Sequence, residues 1–130
     1  MSNECPYPGL RPFERYETDI TAMDPLTGEI KAKLHVPYPN YSGTLVTAGG
    51  VVFSGFTDGT LMAIDDTTMQ PLWKINVGVG FNAPPMTFEV NGKQYVAILS
   101  GLSRVALNRH VKTPELKDQR NQTMLFVFAL

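Results

Sequence analysis

An all-β, partial β-propeller is the fold class this sequence predicts, with about two four-stranded blades and a closing C-terminal strand. Three observations carry that expectation. Residues 21–36, TAMDPLTGEIKAKLHV, align without a gap on residues 62–77, MAIDDTTMQPLWKINV. Ala22 matches Ala63, Asp24 matches Asp65, Thr27 matches Thr68, Lys33 matches Lys74 and Val36 matches Val77, at an offset of 41 residues (63 − 22). Short alternating or apolar runs are separated throughout by turn residues, and no helical periodicity persists for more than about ten residues. A period near 40 residues built from short strands is the signature of blades that pack face to face.

Taken in order, MSNECPYPGLRPFERYE lacks alternation and is rich in proline, so residues 1–17 are expected to be a connector and 18–130 the propeller portion. Residues 18–36 read as the last two strands of a blade whose first two are not in this chain. An open sheet edge of that kind is an aggregation hazard, so an upstream segment or self-association is expected to cover it. Ile30, Ala32, Leu34 and Val36 alternate with Lys31, Lys33 and His35, which predicts a half-buried strand. The first complete unit then holds strands near 44–48, 51–55, 61–65 and 71–77. Ala48-Gly49-Gly50 and Thr57-Asp58-Gly59-Thr60 supply its turns, and Asn91-Gly92 marks the hairpin of the next unit. Tyr95–Leu99 and Met124–Phe128 are continuous apolar runs, expected to be covered on both faces. Thr113-Pro114-Glu115-Leu116 has an N-cap, a proline at the first helical position and an early carboxylate, which predicts one short helical turn.

Composition narrows the class further. The chain has 130 residues, 43% of them hydrophobic, and a formal net charge of −1, with nothing to attract nucleic acid. No apolar run approaches the roughly 18–20 residues of a membrane span, and no charged-then-apolar leader opens the sequence. The single cysteine, Cys5, cannot close an internal disulfide. His35 and His110 have no second histidine or cysteine at metal-site spacing. The acidic residues fall mainly in turns, at Asp24, Asp58, Asp65, Asp66 and Asp118, where capping is the expected role.

The segment from Ala63 to Trp73, AIDDTTMQPLW, resembles the tryptophan-docking motif, roughly AxDxxTGxxxW, of the eight-bladed quinoprotein alcohol dehydrogenases. The earlier copy from Ala22 to Ala32 keeps Thr27-Gly28 but lacks the tryptophan. LVTAGGVVFSGFTDGTLMAID, APPMTFEVNGKQYVAILSG and the terminal QTMLFVFAL are similar to the last quarter of methanol and ethanol dehydrogenases that use pyrroloquinoline quinone (PQQ). The likeness covers nearly all of residues 16–130. Mechanically, a tryptophan at the outer part of one blade can bury its ring on the next. Asp65 and Thr68 sit where their side chains can satisfy backbone N–H groups. Met69 stands where the motif has glycine, a substitution expected to matter little beyond some backbone strain.

The resemblance implies PQQ near the propeller axis, a calcium or lanthanide ion polarising its reactive carbonyl, an aspartate taking the alcohol proton, and a cytochrome accepting electrons. The ligand and base segments of the family have no counterpart among the motifs here, so no catalytic or metal-ligating residue is assigned. Cofactor contact is expected instead from Tyr41 and Ser42, in Asn40-Tyr41-Ser42-Gly43-Thr44, which aligns with a segment where the family often carries a tryptophan beside the quinone. Tyr41 keeps an aromatic ring and adds a hydroxyl, and Ser42 has a backbone N–H and a side-chain O–H to offer a quinone carboxylate. The repeat-equivalent loop, Gly80-Phe81-Asn82-Ala83-Pro84, brings Asn82 as a further polar candidate. In the loop Leu102–Lys112 the family's glycine- and tryptophan-rich run is replaced by Arg104, Arg109, His110 and Lys112, a solvated or anion-attracting stretch.

Two functional readings follow from the resemblance. In the first, the chain is the C-terminal portion of a periplasmic PQQ-dependent alcohol dehydrogenase, supplying scaffold and part of the quinone pocket and inactive by itself. In the second, it is a non-catalytic repeat fragment that binds a protein or self-assembles, since docking repeats also occur in propellers without a quinone. The stretch around Tyr41 and the run MTFEVNGKQYVAILSG resemble the dehydrogenases rather than generic repeats.

Overall fold

The structure is a computed structural model, and it describes residues 16–103, 106, 113–116 and 122–130. Among the described residues, nine strands, β1 (Thr18–Met23), β2 (Ile30–Val36), β3 (Thr44–Val46), β4 (Val51–Gly55), β5 (Thr60–Asp65), β6 (Pro71–Asn76), β7 (Met86–Val90), β8 (Lys93–Leu99) and β9 (Leu125–Ala129), form three antiparallel sheets. The sheets are ordered β1-β2, β3-β4-β5-β6 and β7-β8-β9. The middle sheet is the four-stranded blade expected from the sequence, and β1-β2 is the expected pair of blade-closing strands. The last sheet has three strands among the described residues, with the C-terminal strand β9 paired to β8. The predicted turn near Thr113 is a short 3-10 helix, Pro114–Leu116, closed by a Leu116 N–H to Thr113 carbonyl bond of 2.9 Å.

The sequence repeat is reproduced bond by bond. Asp24 Oδ1 accepts the N–H groups of Leu26 (2.9 Å) and Thr27 (3.3 Å), and Asp65 Oδ1 accepts those of Thr67 (3.1 Å) and Thr68 (2.7 Å). Gly28 N–H donates to the Asp24 carbonyl and Met69 N–H to the Asp65 carbonyl, both at 2.9 Å. The strand register slips at equivalent places, between Ala22 and Met23 and between Ala63 and Ile64. Short polar side chains thus hold a turn that the backbone could not close alone. The Thr68 N–H and O–H groups are the main reason the Asp65 carboxyl titrates below the ordinary aspartate value, while the Lys31 side chain is the first cause at Asp24.

Gly28 and Met69 both lie in the left-handed region, at φ 74° and 56°. The strain expected at Met69 is therefore present, yet the side chain does more than the sequence suggested. Met69 is 3% exposed and packs with Val52 and Ile64 under Ile20, Ala22, Ala32 and Leu34, joining the first sheet to the second. Burying such a side chain is worth about 1.5–3 kcal/mol, against roughly 1–2 kcal/mol for one left-handed residue. Met69→Gly is accordingly expected to destabilise the fold, by about 1 kcal/mol net. Thermal melting checks the sign, and a stabilised variant would mean that strain outweighs packing.

Two burial expectations are corrected. Val96, Ala97 and Ile98 are buried, but Leu99 is exposed, as are Met124, Leu125 and Val127. The last sheet packs on the middle sheet through one face, where Val96, Ile98, Phe126 and Phe128 stand. Its other face carries Met86, Phe88, Val90, Leu125 and Val127 in the open. Trp73 is likewise not sequestered. It is 41% exposed because β6 is the outer edge strand of its sheet, and its ring meets Phe128 edge-on at 5.7 Å.

Candidate functional site

The candidate residues gather at one end of the sheets. There the start of β3 pairs with the end of β4 (Thr44 opposite Ser54), the start of β5 with the end of β6 (Thr60 opposite Asn76), and the end of β8 with the start of β9 (Leu99 opposite Leu125). Backbone bonds tie the intervening loops together. Thr57 donates from its N–H (3.4 Å) and Oγ1 (3.0 Å) to the Pro39 carbonyl, Phe81 N–H to the Phe56 carbonyl at 3.1 Å, and Gly101 N–H to the Gly80 carbonyl at 2.9 Å. The loops holding Tyr41 and Asn82 are thereby fixed to one another through β4 and the segment that follows it.

Tyr41 is half-buried in the turn between β2 and β3. Ser42 departs from its expected role. It is buried, its N–H donates to Asn40 Oδ1 at 2.9 Å, and its Oγ both donates to the Gly55 carbonyl (2.6 Å) and accepts the Gly55 N–H (3.0 Å). With its single hydroxyl proton and its N–H both engaged by protein, Ser42 anchors the turn rather than offering donors to a ligand. Asn82 is half-buried and lines an open depression of about 310 Å³ with Ala83, Leu99, Gly101, Leu102 and Thr123. Arg104, Arg109, His110 and Lys112 lie outside the described residues, as do Cys5 and Asp118.

The sequence reasoning missed the polar frame behind this surface. Asn40 Nδ2 donates to Ser54 Oγ at 2.7 Å, Ser54 Oγ donates to the Gly43 carbonyl at 2.8 Å, and Thr57 is fully buried. An asparagine two residues before Ser42 is the signal of an Asx turn and could have pointed to it. Among the described residues, no group of three His, Cys, Asp or Glu is placed to hold a metal ion. His35 instead bonds Asp19 through Nδ1 at 2.9 Å on the exposed face of the first sheet.

A planar quinone bearing carboxylates needs aromatic or apolar faces and a few hydrogen-bond donors; Asn82 borders the open depression, and Tyr41 stands on the loop tied beside it. Residues 13–96 match the PQQ family, described as glucose/ethanol/alcohol dehydrogenase, β-propeller domain. The chain belongs to this family. A quinohemoprotein alcohol dehydrogenase of Pseudomonas putida is 40% identical over 113 residues, 85% of this chain and 16% of that protein. The 1-butanol dehydrogenase (cytochrome c) of Thauera butanivorans is 40% identical over 124 residues, 95% of this chain and 17% of that protein. Among solved structures, a europium-containing methanol dehydrogenase superposes with a TM-score of 0.73 at 32% identity, over 86% of this chain and 23% of that one. The quinohemoprotein alcohol dehydrogenase of Comamonas testosteroni gives 0.74 at 26% identity, over 94% and 18%. This member of the PQQ propeller family thus spans about one sixth of the length of these two curated relatives.

Proposed function

We propose that this chain is the C-terminal part of a PQQ-dependent alcohol dehydrogenase that oxidises primary alcohols to aldehydes, contributing propeller scaffold and part of the quinone wall. The observation that carries the reading is the clustering of Tyr41 and Asn82 on tied loops at one end of adjacent sheets, in a chain of this family. When bound, PQQ supplies the two-electron acceptor for the alcohol, with a calcium or lanthanide ion to polarise its carbonyl. The chain's own share is to bind and orient. The Tyr41 ring offers a flat aromatic face, and the Asn82 amide offers N–H donors to a carboxylate or quinone oxygen.

Metal ligands and the catalytic base belong, in this reading, to parts of the enzyme beyond this segment. Electrons pass to a cytochrome, for which the name of the Thauera relative, 1-butanol dehydrogenase (cytochrome c), is the support. A lanthanide as the metal has the europium-containing neighbour as its support, and a periplasmic location rests on the family resemblance. Trp73 serves as the docking ring of its repeat, supported by its edge contact with Phe128 across the sheet boundary.

The test is a chimera in which residues 16–130 replace the matched segment of the Pseudomonas putida enzyme. It is expected to bind PQQ and reduce a dye with primary alcohols. Tyr41→Ala and Asn82→Ala are each expected to weaken PQQ binding about tenfold, the size of one lost buried hydrogen bond or ring contact. A chimera that melts like its parent but neither binds the quinone nor reduces dye sinks the reading.

A further inference from the structure

One side chain bonds both backbone N–H groups that follow Tyr41 in its turn. Asn40 lies between the first and second sheets and engages its backbone N–H and both polar atoms of its side chain. Its backbone N–H donates to Thr18 Oγ1 on β1 at 2.9 Å. Its Oδ1 accepts the N–H groups of Ser42 at 2.9 Å and Gly43 at 3.1 Å, closing an Asx turn around Tyr41. Its Nδ2 donates to Ser54 Oγ at 2.7 Å, and Ser54 is fully buried on β4. Gly43 follows at φ 75°, so the backbone reverses immediately after the tyrosine.

We propose that Asn40 is the positioning residue of the quinone wall, its side-chain amide locking the turn Tyr41–Gly43 onto β4 and so fixing where the Tyr41 ring stands. The inference rests on the reading of this loop as cofactor wall, but the lock itself is a property of the chain. Chemically, only an asparagine meets both demands at this point. The two backbone N–H groups require an acceptor, and Ser54 Oγ, whose own proton goes to the Gly43 carbonyl at 2.8 Å, requires a donor. An aspartate keeps the first function and loses the second. Replacing it by alanine removes both and leaves Ser42 and Gly43 without their partner. Ser42 Oγ on Gly55, Ser54 Oγ on the Gly43 carbonyl and Thr57 on the Pro39 carbonyl anchor the same turn to β4 and the segment after it, but none of them accepts the Ser42 and Gly43 N–H groups.

The experiment is residue-resolved amide hydrogen exchange, paired with PQQ titration by fluorescence, on the chimera that carries residues 16–130 in the Pseudomonas putida enzyme, with Asn40, Asn40→Ala and Asn40→Asp. In Asn40→Ala the Ser42 and Gly43 amides are expected to exchange at least about tenfold faster while those of β4 and β5 keep their wild-type rates. Quinone affinity is expected to fall by a similar factor. Asn40→Asp is expected to restore protection of both amides. Unchanged exchange at Ser42 and Gly43 in Asn40→Ala overturns the proposal, as does a uniform rise across all strands, which marks a general stability role. If Asn40→Ala does not fold, Asn40→Asp decides by the same two amides: loss of their protection in that folded variant overturns the acceptor role. A chimera with Asn40 intact that shows the exchange pattern but binds no quinone separates the cases, preserving the lock and removing the cofactor-wall reading on which its purpose depends.

Discussion

Phe81→Ala is expected to remove about 3–5 kcal/mol of stability, a large part of the roughly 5–15 kcal/mol available to a folded domain. The ring is fully buried with Leu61 and Ile98 and meets Phe126 edge-on at 6.1 Å, so it joins the middle sheet to the last. Gly55 leaves room for it. A Cβ on Gly55 would stand 2.8 Å from the Phe81 Cβ and 2.7 Å from Ile98 Cδ1, closer than packed carbon atoms tolerate. The hole left by alanine cannot collapse easily, because the Phe81 backbone is tied to Phe56 and bridges Ser100. Urea denaturation followed by the fluorescence of Trp73, whose contact with Phe128 reports on the same sheet junction, gives the measurement. Leu26→Ala, at a side chain 94% exposed, serves as control and is expected to change stability by less than about 0.5 kcal/mol. A Phe81→Ala midpoint no lower than that of the control would mean the two sheets do not depend on this ring.

The strands and their turns were legible in the sequence because their causes are local. Asn91 and Gly92 both take positive φ, at 52° and 75°, as their dipeptide demands in a two-residue hairpin. Asp24 and Asp65 cap equivalent turns because an aspartate followed by threonine three residues later can satisfy those N–H groups wherever it occurs. What the sequence could not show was which faces are covered. Met124–Phe128 has the composition of a strand enclosed between sheets, yet β9 has one covered face, since composition records what a strand can tolerate and not which neighbours are present in this chain. Trp73 does reach Phe128 on the neighbouring sheet, but it stays 41% exposed because β6 is an edge strand.

The site was legible in outline only. Tyr41 and Asn82 were found through family resemblance and repeat equivalence, and the structure sets their loops at one end of the sheets. Ser42 looked like a donor because its hydroxyl and N–H are chemically able to donate. Whether they are free depends on Gly55 and Asn40, which are 13 and two residues away, and only the folded chain reveals that both are engaged. Buried polar groups nearly always find partners, so a serine flanked by a glycine and an asparagine in a tight turn is better read as an anchor until shown exposed.

Gly80→Ala tests the tie between those loops at its narrowest point. A Cβ at residue 80 would collide with the Thr57 carbonyl oxygen and lie 2.7 Å from Leu102 Cδ2. Leu102 can turn aside, but the carbonyl cannot. Thr57 is held by two bonds to Pro39, the adjacent Phe56 carbonyl accepts from Gly59 and Phe81, and Gly80 itself accepts from Gly101. Relief therefore requires breaking at least one buried backbone bond, each exposing groups whose desolvation is worth about 1–3 kcal/mol. Adding the overpacking of a tight contact, the expected loss is about 2–4 kcal/mol, accompanied by displacement of the Asn82 loop and weaker quinone binding. Gly78→Ala provides the contrast. Its φ of 77° disfavours any side chain, but nothing lies within 4 Å of its Cβ position, so only the conformational cost of about 1 kcal/mol is expected. If the two variants melt alike, the close approach of residue 80 to Thr57 is not what joins the cofactor-facing loops, and their alignment must come from the side-chain packing around Phe81 instead.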